Sequence, residues 1–145
     1  MKMKVRFGGL VALMVCALVA NSAHAAGESL EYKLATINAM RGFAKDDITV
    51  ARFRSLLRQL SQTFVEDQQQ IADMSVTVQQ IMKEKGISES LLIIMEGMNQ
   101  LVSSEVGNLK YAEYISAYAT LRNKGDSHAQ AIAGLQGILR AFGVY

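Results

Sequence analysis

The residues of this 145-residue sequence that could do chemistry are few and widely spaced. It contains two histidines, His24 and His128, and one cysteine, Cys16. Zinc sites draw mostly on cysteine and histidine, so this stock argues against a zinc site. A calcium loop needs several oxygen ligands around a glycine turn, and the adjacent Asp46 and Asp47 do not supply them. Phosphate-binding glycine loops and serine-elbow motifs do not occur either, so we expect no metal site and no cofactor.

His128 is the candidate base for a hydrolase, because Asp126 and Ser127 precede it in the chain. Adjacent residues in the first turn of a helix splay apart, so these three side chains cannot form a triad with one another. We therefore interpret His128 as a surface histidine beside a helix cap. Glu66 and Asp67 are better explained as first-turn charges of a helix than as an acid–base pair. The sequence thus predicts no catalytic residue.

Three tyrosines, Tyr111, Tyr114 and Tyr118, share an arc of one predicted helix. A tyrosine side chain combines an apolar ring with a polar tip, and the residue is enriched at protein interfaces. It is equally suited to the boundary of a hydrophobic core. We favour the core boundary and keep a binding surface as the alternative.

The densest basic cluster consists of Arg52, Arg54 and Arg58. At about 100° per residue, Arg54 and Arg58 flank one side of an apolar stripe and Arg52 flanks the other. Long basic side chains in such positions cover apolar surface while their charged ends stay in water. We favour solvated edge residues over an anion site.

A second face of the last predicted helix is almost bare of side chains, because Ala133, Gly137 and Ala141 recur every fourth residue and Gly134 lies beside them. Each interior glycine costs a helix about 1 kcal/mol relative to alanine. A bare face lets another backbone come close, as small residues do between membrane helices. We favour a close contact with a neighbouring helix of the same chain, and a dimer contact is the alternative.

These side chains must be positioned by helices, since the sequence has no proline and its glycines stand where helices would end. Gly42, Gly86, Gly107, Gly125 and Gly143 each follow a run with helical periodicity. Short connections between consecutive helices favour antiparallel neighbours. The periodicity predicts six helices, over about 29–41, 48–62, 63–85, 88–102, 109–124 and 126–142.

Polar residues mark the starts of several predicted helices. The patterns Thr63–Glu66 and Ser127–Gln130 are typical of capping boxes, and Ser88 is a suitable N-cap for the fourth helix. The fourth helix has apolar residues all round its axis, which predicts that it is the buried centre of the bundle. The predicted buried stripes of the first and last helices consist of Leu30, Leu34, Ile37 and Met40, and of Ile132, Leu135, Ile138, Leu139 and Phe142.

The first 25 residues have the pattern of a secretory signal peptide. Lys2, Lys4 and Arg6 precede an apolar run over 7–20, and Ala23 and Ala25 give the small-x-small pattern, so we expect cleavage after Ala25. A retained membrane anchor is the alternative, although a spanning helix needs about 20 apolar residues and this run is shorter. Lipid attachment at Cys16 is disfavoured, because Leu13-Met14-Val15 lacks the small pair expected before such a cysteine.

Cleavage would change the charge of the chain. It removes three of the 15 basic residues and none of the 13 acidic ones, so the formal net charge falls from +2 to −1. A nucleic-acid-binding protein normally carries a basic surplus on one face, and we expect no nucleic-acid partner. The remaining residues 26–145 contain no cysteine, so their stability must come from burial and helix packing.

Together these features predict a single all-α domain over 26–145, a compact bundle of about five to six antiparallel helices with a buried central helix. The expected function is that of a small exported, non-catalytic binding or interaction module in the periplasm or outside the cell. It would bind another envelope or secreted protein, or a small apolar ligand. A homodimer is a further possibility, and no membrane span would remain after processing. The alternatives are an enzyme whose carboxylates or tyrosines are assembled by the fold, and an envelope structural protein.

Overall fold

The computed structural model describes residues 28–101 and 109–143, and α-helices supply nearly all of their regular structure. The helices are α1 (Leu30–Met40), α2 (Asp47–Thr63), α3 (Gln68–Glu84), α4 (Leu91–Asn99), α5 (Tyr111–Asn123) and α6 (His128–Ala141). A lone parallel bridge joins Phe64 to Leu109, and the described residues form no strand. The predicted all-α bundle is confirmed.

The predicted signal peptide lies outside the described residues. The same holds for its cleavage residues Ala23 and Ala25, for Cys16, and for Val102 and Gly107 after the fourth helix. Within the described ranges, none of the helices combines the length and the hydropathy that crossing a bilayer requires.

Side-chain caps begin three of the helices. Asp46 accepts a hydrogen bond from the Thr49 backbone N–H over 2.7 Å at the start of α2. The predicted capping box of α6 is confirmed, since Ser127 and Gln130 each accept a hydrogen bond from the backbone N–H of the other. The structure thus begins these helices where the sequence places a short acceptor side chain.

The predicted start of α3 is wrong. Thr63 is the last residue of α2, and the capping box of α3 consists of Asp67 and Gln70. The predicted pair, Thr63 and Glu66, and the observed pair, Asp67 and Gln70, both fit the sequence pattern of a capping box. The Glu66 carboxylate is used elsewhere, because it accepts hydrogen bonds from the N-terminus of α5. The shift moves the α2–α3 turn four residues along the chain.

The predicted start of α4 at Ser88 is also wrong, since the helix begins after Ser90. The hydroxyl of Ser90 does not cap its own helix but donates to Asn38 Oδ1 over 3.2 Å. The same Asn38 oxygen accepts from the Leu91 N–H, also over 3.2 Å. A buried side chain of α1 therefore caps α4.

The fourth helix lies at the centre of the bundle, as the sequence predicts. It packs against α1, α2, α3 and α6. Its side chains at Leu91, Ile94, Met95 and Met98 are completely inaccessible to solvent. An apolar surface on nearly all sides is what such a position requires.

Parts of the predicted buried stripes are exposed. Met40 is 78% exposed, Ile138 47% and Phe142 80%. Met40 is the last residue of α1, and Phe142 follows the last residue of α6. The buried side of α1 consists of Leu34, Ala35 and Asn38, which turns Leu30 and Ile37 toward α3.

Candidate functional site

A groove of about 370 Å³ runs along the surface between α1 and α3. Leu34 and Ala72 lie at its bottom, exposed by only 2% and 1%. Leu30, Ile37 and Val76 are half-buried and form its apolar walls. The groove is therefore continuous with the hydrophobic core.

Helical spacing places these residues along one line. Leu30, Leu34 and Ile37 recur at intervals of four and three residues on α1, and Ala72 and Val76 are four apart on α3. Side chains at such intervals lie on the same helix face. Because Ala72 is small, the two helices leave a gap between them there, and the packing does not fill it.

The rims of the groove are polar. Lys33 extends from α1, and Gln69, Asp73 and Thr77 line the α3 side. All four are exposed, and the Gln69 amide donates to Asp73 Oδ1 over 2.9 Å. The groove thus combines an apolar floor with one cationic and one anionic edge.

The two helices come together beyond the groove. Both pack on α2, and because each of the two turns reverses the chain, α1 and α3 run in the same direction. The Arg41 guanidinium, just after the last residue of α1, donates a hydrogen bond to the Gln80 side chain of α3. Within the described residues, the groove is therefore bridged at the C-terminal end of α1 and open toward Leu30.

A second cavity, of about 20 Å³, lies past this bridge, and Arg41, Gln79, Lys83 and Glu89 are among the residues that line it. Gln79 is 2% exposed, and its amide nitrogen donates to the Glu89 carbonyl over 2.9 Å. Its Oε1 atom has no hydrogen-bond partner among the described residues. The volume suits one water molecule, so we assign no ligand to this cavity.

Comparison with known proteins identifies the family. A family model described as MoxZ matches residues 19–138. The chain belongs to the MoxZ family. The match contains α1 to α5 and most of α6, and hence every residue of the groove. No curated protein and no solved structure matches the chain.

In this MoxZ family member, Tyr111 and Tyr118 are fully buried, whereas Tyr114 is half-buried against Phe64. The Tyr111 hydroxyl lies 2.7 Å from Ser75 Oγ, and Ser75 donates in turn to the Ile71 carbonyl. Burial raises the pKa of both buried tyrosines above the ordinary value. The two belong to the core, and the alternative of a binding surface is wrong for them.

The interpretation of His128 as a surface residue is wrong, because its ring is half-buried between α4 and α5. Its Nδ1 atom lies 2.9 Å from the Tyr118 hydroxyl oxygen, and burial lowers its pKa. Glu89 and Arg122 form a largely buried ion pair nearby, over 3.0 Å. Neither of the two cavities described above is lined by His128 or Tyr118. The acid–base groups that the fold brings together are thus apart from the groove.

The arginines of α2 stay at the surface. Arg54 Nε donates to Glu31 Oε1 over 2.8 Å, and Arg52 pairs with Glu96. Arg52, Arg54 and Arg58 are all exposed. This arrangement agrees with the interpretation as solvated edge residues and adds two ion pairs that the sequence did not reveal.

The small face of α6 is exposed in the described part of the chain, where only Gly134 approaches a neighbouring helix, at Leu121 of α5, so the favoured prediction of a close contact along this face is wrong. Ala133, Gly134, Gly137 and Ala141 are exposed. A Cβ atom at Gly137 would have no neighbour within 4 Å, and one at Gly134 would lie 3.6 Å from Leu121. The dimer contact at this face stays a prediction.

A close approach occurs instead at Gly97 of α4. A Cβ atom there would lie 2.6 Å from His128 Cε1 and 2.8 Å from Ile132 Cδ1. The signal in the sequence is a glycine inside the most apolar helix, where it costs helix stability. Within the described residues, no group of three or more His, Cys, Asp or Glu side chains could hold a metal ion.

Proposed function

We propose that the protein is a non-catalytic binding module that holds a short amphipathic helix of another exported protein in the groove between α1 and α3. The observation that carries this proposal is an open groove with an apolar floor and polar rims of opposite charge. Binding of an amphipathic helix by its apolar face in a hydrophobic groove is a recurring mode of protein recognition.

The dimensions of the groove support a helical occupant. Leu30 and Ile37 are seven residues apart, which is about 10 Å of helix axis at a rise of about 1.5 Å per residue. That length accepts two turns of a bound helix, with two or three apolar anchors at intervals of three or four residues. The volume of about 370 Å³ lies within the range of about 300–1,000 Å³ that is usual for ligand sites.

The rims support a peptide rather than a lipid chain. An acyl chain needs apolar contacts on all sides, and this groove is open along its length. Lys33 on one edge and Asp73 on the other can pair with charged residues that flank the apolar stripe of a bound helix. We expect an acidic residue of the partner toward α1 and a basic residue toward α3, because such complementarity aligns a bound helix.

The position of the acid–base groups supports binding over catalysis. Tyr111 bonds to Ser75, and Tyr118 to His128. Glu66 is engaged by the N-terminus of α5, and Glu89 by Arg122. None of these groups lines the groove. The predicted signal sequence supports a location in the periplasm or outside the cell, where the partner would also be.

Site-specific photo-crosslinking in the producing cells tests this function. A photoreactive amino acid at Thr77, on the rim of the groove, should give one cross-linked protein band. Val76→Trp fills the groove with a larger apolar side chain and should abolish that band. Ile93→Trp is the matched control, because Ile93 is 40% exposed on α4, away from the groove.

Two results would contradict the proposal. One is the absence of any cross-linked protein from Thr77. The other is a band that Val76→Trp and Ile93→Trp leave equally strong. A charge reversal gives a second comparison: Lys33→Glu should weaken the cross-link, and Arg58→Glu, at an exposed position in the middle of α2, should not.

A further inference from the structure

A hydrogen bond between α5 and α6 holds the first residue of α6 against the core. His128 Nδ1 lies 2.9 Å from the Tyr118 hydroxyl oxygen, and the two rings meet edge to face with their centroids 5.7 Å apart. Tyr118 is fully buried and His128 is half-buried. The contact ties the N-terminus of α6 to α5 at a hydroxyl group that solvent does not reach.

Gly97 of α4 provides the room for the imidazole ring. A Cβ atom at this position would lie 2.6 Å from His128 Cε1 and 3.1 Å from Nε2. The ring therefore occupies the space that a side chain at position 97 would fill. His128 is packed between α4 and α5, and a change in its charge is felt by both helices.

The protonation state of His128 decides the direction of the hydrogen bond. A neutral phenol donates to an unprotonated ring nitrogen, so the bond suits an imidazole that carries its proton on Nε2. An imidazolium has hydrogens on both nitrogens, so Nδ1 would become the donor. The Tyr118 hydrogen would then need another acceptor, and the hydrogen bonds of the described residues do not provide one.

Charged groups face His128 from α4, α5 and the α3–α4 connection, namely Glu96, Arg122 and Glu89. Burial has the largest effect and lowers the pKa of His128, Arg122 lowers it further, and the two glutamates oppose this shift. Each glutamate is paired with an arginine, Glu89 with Arg122 and Glu96 with Arg52. The first turn of α6 contains no acidic residue, and its positive dipole end also disfavours an imidazolium.

We infer that His128 and Tyr118 form an acid-sensitive latch, which releases α6 from α4 and α5 when the imidazole is protonated. Protonation reverses the hydrogen bond, so that the Tyr118 O–H loses its acceptor, and it places a cation in a half-buried position at a helix N-terminus. Among the described helices, α6 packs mainly on α5 and less on α4. It can therefore open while α1, α2 and α3 stay together.

The open state presents a new apolar surface. The buried side of α6 consists of Ala131, Ile132, Leu135 and Leu139. Opening uncovers these residues together with the part of α4 around Gly97. Acidification thus raises the population of an open state that exposes apolar surface, and this inference does not depend on the proposed role of the groove.

Amide hydrogen exchange of the full-length protein, followed by mass spectrometry, tests the latch. The pKa of His128 in the closed state lies below the ordinary value of about 6.5, so closure is favoured above that pH and is lost as the pH falls between the two values. Protection of α6 should decrease from pH 7.5 to pH 5, by at most about tenfold per pH unit for one proton. Protection of α2 and α3, corrected for intrinsic exchange, should not change.

Two variants separate the contribution of the histidine from that of the tyrosine. His128→Asn keeps an acceptor near the position of Nδ1 but takes up no proton, so α6 should be equally protected at both pH values. Tyr118→Phe removes the bond, so α6 should be less protected at pH 7.5 and lose less protection on acidification. The latch is wrong if wild-type α6 shows no pH response or if His128→Asn keeps the full response. If His128→Asn does not fold, the latch is wrong when α6 of Tyr118→Phe loses as much protection between pH 7.5 and pH 5 as α6 of the wild type.

Discussion

The Glu66 carboxylate holds the first residue of α5, because its Oε2 atom accepts a hydrogen bond from the Tyr111 backbone N–H over 2.7 Å. Its second oxygen accepts from the Ala112 N–H over 3.2 Å. Glu66 lies between α2 and α3, 45 residues before Tyr111. A side chain from a distant turn thus caps α5, because Lys110, the N-cap residue of this helix, makes no side-chain capping hydrogen bond.

Loss of this cap should destabilise the whole protein. Glu66→Ala leaves two N–H groups of α5 without their acceptor, and we expect the free energy of unfolding to fall by about 1–2 kcal/mol. Glu66→Gln keeps one acceptor oxygen and should cost less. Urea unfolding at pH 7 measures both. Glu84→Ala, at an exposed position in the last turn of α3, is the control, and a loss at Glu84 as large as at Glu66 would contradict the capping role.

Local sequence signals were sufficient for the helices whose ends depend on neighbouring residues. Ser127 and Gln130 are three residues apart, so their capping box can be read from the sequence. The same is true of the apolar surface around α4, which predicts a buried helix wherever its neighbours lie. Asp67 and Gln70 carry the same kind of signal, but Thr63 and Glu66 fit the pattern as well.

Contacts between distant residues could not be predicted in this way. The caps that Asn38 supplies to α4 and Glu66 supplies to α5 depend on which helices meet, and no spacing in the sequence records that. The groove is a gap between Leu34 and Ala72 that depends on the distance between two helix axes. Tyr118 and His128 lie on different helices, so no helical periodicity pairs them.

Asn38 should be among the most sensitive polar residues of the core. It is 2% exposed, its Oδ1 atom accepts from Leu91 N–H and Ser90 Oγ, and its amide nitrogen donates to the Ala44 carbonyl over 3.0 Å. Asn38→Ala removes all three bonds, and we expect a loss of about 2–4 kcal/mol in unfolding free energy. Thermal unfolding by circular dichroism measures it. Asn123→Ala, at an exposed position, should change stability by less than about 0.5 kcal/mol.

The buried tyrosines should make the fold sensitive to alkali. Burial raises the pKa of Tyr111 and Tyr118 above the ordinary value of about 10, so the unfolded state loses protons first as the pH rises. Stability should be independent of these groups below pH 10 and should fall above it, by at most about 1.4 kcal/mol per pH unit for each tyrosine.

Urea unfolding between pH 8 and pH 11.5 measures this slope. Tyr111→Phe should remove the contribution of one tyrosine and make the slope shallower, at the cost of about 1 kcal/mol at pH 8 for the lost bond to Ser75. If the slope of Tyr111→Phe were as steep as that of the wild type, the Tyr111 phenol would not contribute to the pH dependence of stability.

Export should be accompanied by cleavage after Ala25. Ala25→Phe places a large side chain where signal processing requires a small one, and we expect it to leave the segment attached. His24→Phe changes the intervening position, which tolerates large residues, and should be processed normally. Mass spectrometry of the exported protein distinguishes the two, and the expected first residue is Ala26. A wild-type product that begins at Met1 would contradict the signal-peptide prediction.

Alanine at two helix glycines should change stability in opposite directions. In Gly97→Ala the new Cβ atom would lie 2.6 Å from His128 Cε1 and 2.8 Å from Ile132 Cδ1. Ile132 can shift the end of its flexible side chain, but the imidazole can move only by giving up its bond to Tyr118. We expect this overpacking, typically about 1–3 kcal/mol, to exceed the gain of about 1 kcal/mol in helix propensity.

Gly137→Ala adds the same methyl group to an exposed helix position with no neighbour within 4 Å. Only the helix propensity of the residue changes at this position, so the free energy of unfolding should rise by up to about 1 kcal/mol. Thermal unfolding of both variants, together with molecular mass by light scattering, gives the comparison. A destabilised Gly137→Ala with a reduced mass would mean that another chain packs on the small face of α6. A Gly97→Ala variant as stable as the wild type would mean that α6 does not rest on α4 through His128.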